Sequence, residues 1–435
     1  MKLHERIFLL LLTLLPVQLS RHFWPDWSYV IGRRIDYLSP TVFLTDLLVI
    51  ILMISWVGSS FTTLVSSIRK KSVLHGLPFL GLGLLTAANL FFSGNHPESW
   101  LFWIKLWEYA LLCFYIMYTR PAHGRIVRSL GIAALYTSLI ALAQFFAQHS
   151  LGGVFWWLGE RQFFLDTPGI ARIAVCLPFS GCQLLLRPYG TFPHPNVLAG
   201  FLIVVMTILV GHITIEKSRE KRLSFLYWGI VGLSFAAVIV TFSRSSWISG
   251  ALGLLLLFGV VQYTRRSARI LSISAVFFVV SVLILIVGII AFFPRNTEES
   301  VVDRIQLNGY ANALWKTSPL MGIGGDRFLP SVPSITIRRN PGFLQPVHSV
   351  YLLLLVETGT VGILAFLWLL FGIYRNLLTD IGRNSYNIRR SYVYGIALAE
   401  LLLVGLVDHY PITLQQGQLL LTILIGITLS RPFKK

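Results

Sequence analysis

The run Val197-Leu-Ala-Gly-Phe-Leu-Ile-Val-Val-Met-Thr-Ile-Leu-Val-Gly211 contains no charged residue and decides the class of fold. With its flanking residues it predicts a helix over 196–214, close to the roughly 20 residues that cross about 30 Å of hydrocarbon. A closed β-barrel is the other structure that can span a membrane, but this run is far too long for a barrel strand. The sequence therefore predicts a membrane-spanning helix.

Further apolar runs of similar length occur along the whole chain. The predicted spans cover residues 7–20, 41–64, 73–93, 100–119, 129–147, 196–214, 225–242, 246–263, 270–293, 349–374, 391–407 and 418–430. The chain is 55% hydrophobic and only 12% charged, which is too few charges to cover a soluble core of this size. We predict an all-α polytopic membrane protein with about twelve transmembrane helices, forming a single integral membrane domain over residues 1–435.

The net charge of +18 reports orientation and does not indicate nucleic-acid binding. The segments predicted to be cytoplasmic hold 22 of the 36 Lys and Arg residues but only four of the 18 acidic residues. The remaining residues balance at 14 basic and 14 acidic, so the entire excess lies on one side of the membrane. The positive-inside rule then places both the N-terminus and the C-terminus in the cytoplasm.

The first span is short and follows Lys2 and Arg6, which is also the pattern of a secretory signal peptide. The stretch before Arg21 lacks the small-x-small pattern of a cleavage site, so we expect an uncleaved anchor.

Two segments on the predicted outer face are longer than mere connections, at 148–195 and 294–348. The first contains two β-prone runs around the turn Pro178-Phe-Ser-Gly181, which predicts a hairpin. Cys176 and Cys182 flank that turn on the oxidising side of the membrane, so they are candidates for a disulfide. Two free thiols without a role are the alternative.

Three stretches near the outer face carry residues suited to chemistry. The first is Arg187-Pro-Tyr-Gly-Thr-Phe-Pro-His-Pro-Asn196, where Asn196 is placed to cap a helix whose N-terminus offers unpaired N–H groups to an anion. In the second, Thr241-Phe-Ser-Arg-Ser-Ser246, Arg244 has no acidic neighbour in sequence, and an unpaired cation at the membrane edge is a functional candidate. A well-capped helix start and a snorkelling arginine are the alternatives.

The third stretch is Pro346-Val-His-Ser-Val-Tyr351, in which His348 can accept a proton near neutral pH. Glu357 lies nine residues further along the predicted helix, roughly 13 Å deeper, and so cannot touch His348. We interpret Glu357 as a buried structural partner for another helix.

Together these stretches resemble the O-antigen ligase and O-antigen polymerase superfamily of bacterial membrane glycosyltransferases. The matching residues in this chain are Arg187, Gly190, Thr191, Phe192, Pro195, Asn196, Ser243, Arg244, the run Ser318-Pro-Leu-Met-Gly-Ile-Gly-Gly325, His348, Glu357 and Gly359. The resemblance covers roughly residues 100–430. The family usually has Asn after the His, whereas this chain has Ser349.

The resemblance implies a GT-C-like fold in the bacterial inner membrane and a glycan donor carried on undecaprenyl pyrophosphate. Arg187 and Arg244 would bind the charge that develops on the pyrophosphate leaving group, with Arg304 or Arg327 as helpers. His348 would orient or deprotonate the acceptor hydroxyl, giving transfer with inversion. Asp408 is expected to pair with an arginine or support His348, and His409 to touch substrate. A polar turn is the alternative for both.

No Asp-x-Asp pair lies on a predicted outer loop, and no residues show metal-ligand spacing, so we expect a metal-independent reaction without cofactor. The acceptor is a glycan, a glycolipid or a protein hydroxyl, so a ligase, a polymerase and a protein O-oligosaccharyltransferase remain open. A transporter or flippase of anionic lipid-linked glycans is the competing class. Transporters place charges near the midplane on broken helices, whereas the notable arginines here gather at the outer surface.

Overall fold

The computed structural model describes residues 1–177, 181–215, 221–264, 298–335, 344–379 and 386–430. Its helices are α1 (Leu3–Thr13), α2 (Leu44–Ser93), α3 (Pro97–Thr119), α4 (His123–Ala147), α5 (Pro195–Ile215), α6 (Lys221–Val240), α7 (Arg244–Thr264), α8 (Glu298–Thr317), α9 (Phe328–Ser331), α10 (Val350–Thr379), α11 (Tyr386–Val404), α12 (Tyr410–Thr413) and α13 (Gln415–Leu429). The predicted span 270–293 lies outside the described residues.

Six of these helices are long and apolar enough to cross a membrane: α3, α4, α5, α6, α7 and α10. Shorter apolar helical segments occupy Leu44–Ser59, Leu77–Ser93 and Gln415–Leu429. The chain is thus a mostly helical membrane protein, as the apolar runs predict. The number of twelve spans stays a prediction.

The central helix of the fold is α5. Because α5 packs against α4, α6, α7 and α11, nearly all of its apolar side chains are buried within the protein. Its sequence is hydrophobic on every face, which is the pattern of a helix surrounded by other helices. The N-terminal end of α5 is therefore fixed on all sides, and it is the end that carries Asn196.

The chain reverses direction within α2. Near one end of this helix, Asp46 Oδ1 lies 2.6 Å from Lys105 Nζ, and near the other end Asn89 Oδ1 accepts a hydrogen bond from Trp103 Nε1. A straight helix would separate positions 46 and 89 by about 65 Å, yet Trp103 and Lys105 are two residues apart on α3. The two arms of α2 therefore run antiparallel, and they coincide with the separate spans predicted at 41–64 and 73–93.

Short strands lie in the loops between helices. They are β1 (Ser20–His22), β2 (Tyr29–Val30), β3 (Arg33–Arg34), β4 (Thr41–Phe43), β5 (Arg172–Leu177) and β6 (Gly181–Leu186). Strands β5 and β6 pair antiparallel as a hairpin, with Cys176 directly opposite Cys182. Cys182 is disulfide-bonded and Cys113 is free. The side chain of Cys176 lies outside the described part of the chain, so the pairing of these two cysteines stays a prediction.

Helix α10 is interrupted at Gly359, whose φ of 71° lies in the left-handed region that favours glycine. Residues 319–324, here called the inserted segment, pair with the interruption. The backbone hydrogen bonds run from Ile323 N to Val356 O (3.0 Å), Gly324 N to Glu357 O (3.1 Å), Thr360 N to Pro319 O (2.9 Å) and Val361 N to Leu320 O (3.1 Å). Irregular backbone at membrane depth is tolerated only where protein satisfies it. This pairing fixes the start of the loop that follows α8.

Glu357 belongs to the same junction. Its Oε1 accepts a hydrogen bond of 3.2 Å from Phe328 N, and its carbonyl accepts one of 3.0 Å from Asn89 Nδ2. The carboxyl group thus contacts the loop and the carbonyl contacts α2. This is the structural role that its depth in the helix predicts.

Candidate active site

The segment that carries Arg187 is held in place by α4. Gln144 Oε1 accepts hydrogen bonds from Tyr189 N at 3.0 Å and Gly190 N at 2.7 Å, and Gln144 Nε2 donates to Gly190 O at 2.9 Å. Gly190 adopts a φ of 59°, which a residue with a Cβ rarely does. Thr191 Oγ1 donates to Pro16 O at 2.8 Å. These bonds explain why the chain needs Gly-Thr here and fix the backbone next to Arg187.

The Arg187 side chain is half-buried, and its guanidinium makes two short hydrogen bonds. Its Nε donates to Thr241 O at 2.6 Å, and its Nη2 donates to Asn196 Oδ1 at 2.7 Å. Burial, and to a smaller extent the neighbouring Arg244, lowers the pKa of Arg187 to about 10. Since that value is still well above neutral pH, Arg187 remains a cation.

Asn196 does not cap α5 as the sequence predicts. The helix begins at Pro195, and it is His194 that acts as the cap, because its Nδ1 accepts a 3.1 Å hydrogen bond from Asn196 N. The Asn196 side chain instead bridges Arg187 and Asp408, since its Nδ2 donates to Asp408 Oδ2 at 3.1 Å. The prediction of an Asn cap was wrong because the preceding imidazole competes for the same position.

Asp408, His409 and His348 form the other half of the site. Asp408 Oδ1 accepts a hydrogen bond of 2.9 Å from His409 N, and His409 Nδ1 lies 2.7 Å from Thr413 Oγ1. The His348 and His409 rings meet edge-on with their centroids 5.3 Å apart. The carboxylate thus links the helix that follows Arg187 to the imidazole pair.

Burial keeps the imidazoles of the site neutral near pH 7. It lowers the pKa of His348 below its ordinary value of 6.5, with Arg304 adding to the effect and Asp408 opposing it. Burial also lowers the pKa of His409 to about 4 and that of His194 to about 3. A neutral imidazole is the form that accepts a proton.

Asp408 is ionised in the same environment. Burial alone would raise the pKa of its carboxyl, but the neighbouring His409 and His194 and the hydrogen bond from Asn196 together hold it below the ordinary value of 3.8. The site therefore places one carboxylate between imidazoles and a hydrogen-bonded arginine.

One cavity of about 2300 Å³ brings most of the predicted residues together. Six of the predicted site residues line this cavity: Arg187, Asn196, Arg304, His348, Asp408 and His409. Among the described residues, no group of three or more His, Cys, Asp or Glu is arranged to hold a metal ion. These six residues supply two arginines, two neutral imidazoles and a carboxylate, which suits binding of a phosphate ester next to a proton acceptor.

The other two predicted arginines lie outside this lining. Arg244 begins α7 and is exposed, yet it is close enough to Arg187 to affect its pKa. The hydrogen bond from Arg187 to Thr241 O ties the turn before Arg244 to the site. Arg327 instead pairs with Glu98, with 2.6 Å between Nη1 and Oε1. The structure thus brings Arg244 to the edge of the site and engages Arg327 in an ion pair with α3.

Two residues of the site carry no prediction from sequence. His194 stands within the Arg187–Asn196 stretch, so its position was a usable signal. Tyr37 lines the cavity, and its ring meets the His409 ring edge-on with the centroids 5.5 Å apart. No sequence motif indicated Tyr37, because the loop that contains it has none. Only the folded chain brings positions so far apart in sequence together.

The comparison with protein families bears on the half of the site that lies between α6 and α10. Residues 229–367 match the family model Wzy_C, described as O-antigen ligase. This segment of the chain is similar to the O-antigen ligase family. No curated protein matches the chain.

The matched segment includes Arg244, Arg304, His348 and the interrupted half of α10. Arg187 and Asp408 lie outside the matched segment, on either side of it. Their hydrogen bonds to Asn196 join the two flanks to each other, and the bond from Arg187 Nε to Thr241 O joins them to the matched segment. The family supports a membrane enzyme of the glycosyltransferase type.

Proposed function

We propose that this protein transfers a glycan from an undecaprenyl-pyrophosphate carrier to an acceptor hydroxyl on the outer face of the bacterial inner membrane. The observation that carries the proposal is the convergence of Arg187, Arg304 and neutral His348 on one cavity. A cation pair beside a proton acceptor matches a reaction in which a pyrophosphate leaves as an alcohol attacks. The similarity to the O-antigen ligase family supports the same chemistry.

The arginines would bind the leaving group. The bond that breaks joins the anomeric carbon of the glycan to an oxygen of the carrier pyrophosphate, and the electron pair stays on that oxygen. Arg187 and Arg304 stabilise the charge that develops there, and Arg244 adds a third cation at the edge of the site. The leaving group is already a good one, so the site needs no strong acid and no metal ion.

His348 would accept the proton of the attacking hydroxyl. Its Nδ1 has no hydrogen-bond partner among the described residues, and burial keeps the ring neutral. The acceptor oxygen bonds to the anomeric carbon from the side opposite the pyrophosphate, so the configuration inverts. Asp408 and His409 orient the ring and stabilise the imidazolium that forms.

The apolar part of the cavity supports a lipid-linked substrate. Side chains including Phe79, Leu101, Phe366 and Ile425 continue the lining below the polar residues. They come from α3 and α10, which are long and apolar enough to cross a membrane, and from the shorter apolar segments Leu77–Ser93 and Gln415–Leu429. A polyprenyl chain would contact this wall while its pyrophosphate meets the arginines.

Reconstitution tests the proposal. Purified protein in liposomes is given undecaprenyl-pyrophosphate oligosaccharide and a panel of glycan, glycolipid and protein acceptors, without nucleotide sugars and with EDTA. We expect glycan to move to one class of acceptor, and the class that reacts distinguishes ligase, polymerase and protein transferase. Export of intact carrier-linked glycan with no transfer to any acceptor would contradict the proposal and favour a flippase.

A further inference from the structure

A second group of polar side chains lines the same cavity, where the N-terminal ends of α2 and α13 meet the third turn of α3. Lys105 Nζ lies 2.6 Å from Asp46 Oδ1, 3.2 Å from Glu108 Oε2 and 3.4 Å from Gln415 Oε1. Gln415 also donates to Asp46. We call Asp46, Lys105, Glu108, Gln415 and Gln416 the polar shelf; all five line the cavity.

Two atoms of the polar shelf have no hydrogen-bond partner among the described residues. They are Glu108 Oε1 and Gln416 Nε2, both of which are buried. Gln416 is only 3% exposed. Buried polar atoms almost always have a partner. One unmatched acceptor and one unmatched donor, on two residues that line the cavity, therefore point to a ligand group that both donates and accepts hydrogen bonds.

The charges on the polar shelf argue against a phosphate as that ligand. Its one cation, Lys105, is already paired with Asp46, and Glu108 is a second acidic group. A phosphate would meet a carboxylate oxygen at this wall, whereas a hydroxyl donates to that oxygen and accepts from the Gln416 amide. The chemistry is that of a polyhydroxyl compound.

We propose that the polar shelf binds hydroxyl groups of a sugar, an inference that rests on the proposed function. The shelf adjoins the reaction centre, because Gln415 follows closely after Thr413, whose hydroxyl lies 2.7 Å from His409 Nδ1. The sugar it holds is therefore one next to the bond that breaks or forms. It belongs either to the donor glycan or to the acceptor, and the test separates these sources.

Two variants and their matched controls test the polar shelf. Gln416→Leu removes the unmatched donor and keeps a similar side-chain volume. Glu108→Gln replaces one carboxylate oxygen, an acceptor, by an amide NH2 group, which is a donor. Gln262→Leu, at the cytoplasmic end of α7, and Glu5→Gln, in the pair with Arg125, make the same chemical changes away from the cavity lining. The readouts are thermal unfolding, kcat, the KM of donor and acceptor separately, and binding of undecaprenyl pyrophosphate, which carries no sugar.

We expect both shelf variants to unfold near the wild-type temperature and to raise one KM about three- to tenfold, the range for one lost hydrogen bond. Affinity for undecaprenyl pyrophosphate should not change. A raised donor KM assigns the shelf to the donor sugar, and a raised acceptor KM to the acceptor sugar. Folded variants with both KM values unchanged would overturn the inference, as would an equal loss of affinity for the sugar-free carrier. Absence of transfer by the wild-type protein would instead refute the proposed function, and the sugar assignment with it.

Discussion

At the scale of single residues, Arg187 combines a half-buried charge with a fixed orientation. Its Nε donates to Thr241 O and its Nη2 donates to Asn196 Oδ1, and these two hydrogen bonds fix the orientation of the side chain. A guanidinium can make both bonds and still present further N–H groups to the cavity. An ammonium group cannot, because it lacks the planar fork.

We therefore expect Arg187→Lys to behave almost like Arg187→Ala. Both should lower kcat for glycan transfer by about 10²–10³-fold, the cost of removing one preorganised donor to a developing oxyanion. Steady-state transfer in liposomes measures this. Arg222→Lys, at the N-terminal end of α6 and away from the cavity lining, is the matched control and should keep wild-type turnover. Full activity of Arg187→Lys would mean that only the charge matters.

The proton acceptor gives a pH prediction. Burial lowers the pKa of His348 below 6.5, so its neutral form persists to a lower pH than in an ordinary histidine. Turnover should be flat from about pH 8 to pH 7 and should fall only as the pH drops below 6.5 and protonates the ring. A pH–rate profile measures this limb. An acid limb centred above pH 7 would contradict the assignment of His348.

Removal of the imidazole should separate chemistry from binding. We expect His348→Gln to lower kcat by about 10²–10⁴-fold, the usual contribution of general-base catalysis. Binding of undecaprenyl pyrophosphate should be retained, because the arginines are unchanged. Direct binding of that carrier is the measurement. A collapse of carrier affinity would place His348 in the pyrophosphate site instead.

At the scale of elements, the interrupted α10 explains two glycine-bearing motifs at once. Gly322 and Gly359 face one another, and a Cβ on either would collide with backbone of the other segment. Both also have positive φ values. The short sequence Glu-x-Gly is thus the point where a membrane helix opens to receive the inserted segment.

Gly359→Ala should destabilise the protein. The positive φ alone costs about 1–3 kcal/mol in a residue with a Cβ, and the collision with the inserted segment adds to it. Thermal unfolding in detergent measures the change as a lower Tm. Gly372→Ala is the matched control in the same helix, where a Cβ would meet no atom within 4 Å. It should leave Tm unchanged or raise it slightly, and an equal loss in both variants would refute the role of Gly359.

The β5–β6 hairpin gives a thiol count. If Cys176 is the partner of disulfide-bonded Cys182, denatured but non-reduced protein should bind one maleimide per chain, at Cys113. After reduction it should bind three, since the chain has three cysteines. Mass spectrometry of the labelled protein gives the number. Three labels without reduction would exclude the disulfide.

The sequence predicted the elements better than it predicted their contacts. Apolar runs located most helices, and β-prone runs located the hairpin, because both patterns are local. The pairing of Arg327 with Glu98 was missed, since 229 residues separate the two. For the same reason Tyr37 was overlooked. His348, Asp408 and Arg187, which line the same cavity, were predicted as site residues because each stands near a predicted helix end.

At the scale of the whole molecule, the reversal of α2 agrees with the topology that we predict from the uneven distribution of Lys and Arg along the chain. The basic residues Arg69, Lys70 and Lys71 lie between the two arms, and both outer ends of the arms contact α3 near the cavity. From the positive-inside rule we predict that this turn lies in the cytoplasm. The prediction places His348 and Asp408 toward the opposite face.

Single-cysteine labelling tests this topology. In a background with Cys113→Ser, Cys176→Ser and Cys182→Ser, the variant Lys70→Cys should react with a membrane-impermeant maleimide only after the cells are lysed. His96→Cys, at the outer end between α2 and α3, should react in intact spheroplasts. Labelling of both positions from the same side would contradict the reversal, and labelling of Lys70→Cys from outside would contradict the orientation.

The inserted segment also constrains how the protein is made. Residues 319–324 emerge from the ribosome before the helix that completes their backbone hydrogen bonds. Until Val350–Thr379 has entered the bilayer, these peptide groups lack the partners that they have in the folded protein. We therefore expect the segment to stay in water, outside the hydrocarbon, during that time. Catalytic competence is therefore acquired after translation of the C-terminal helices, and a prematurely terminated chain would be membrane-integrated but inert.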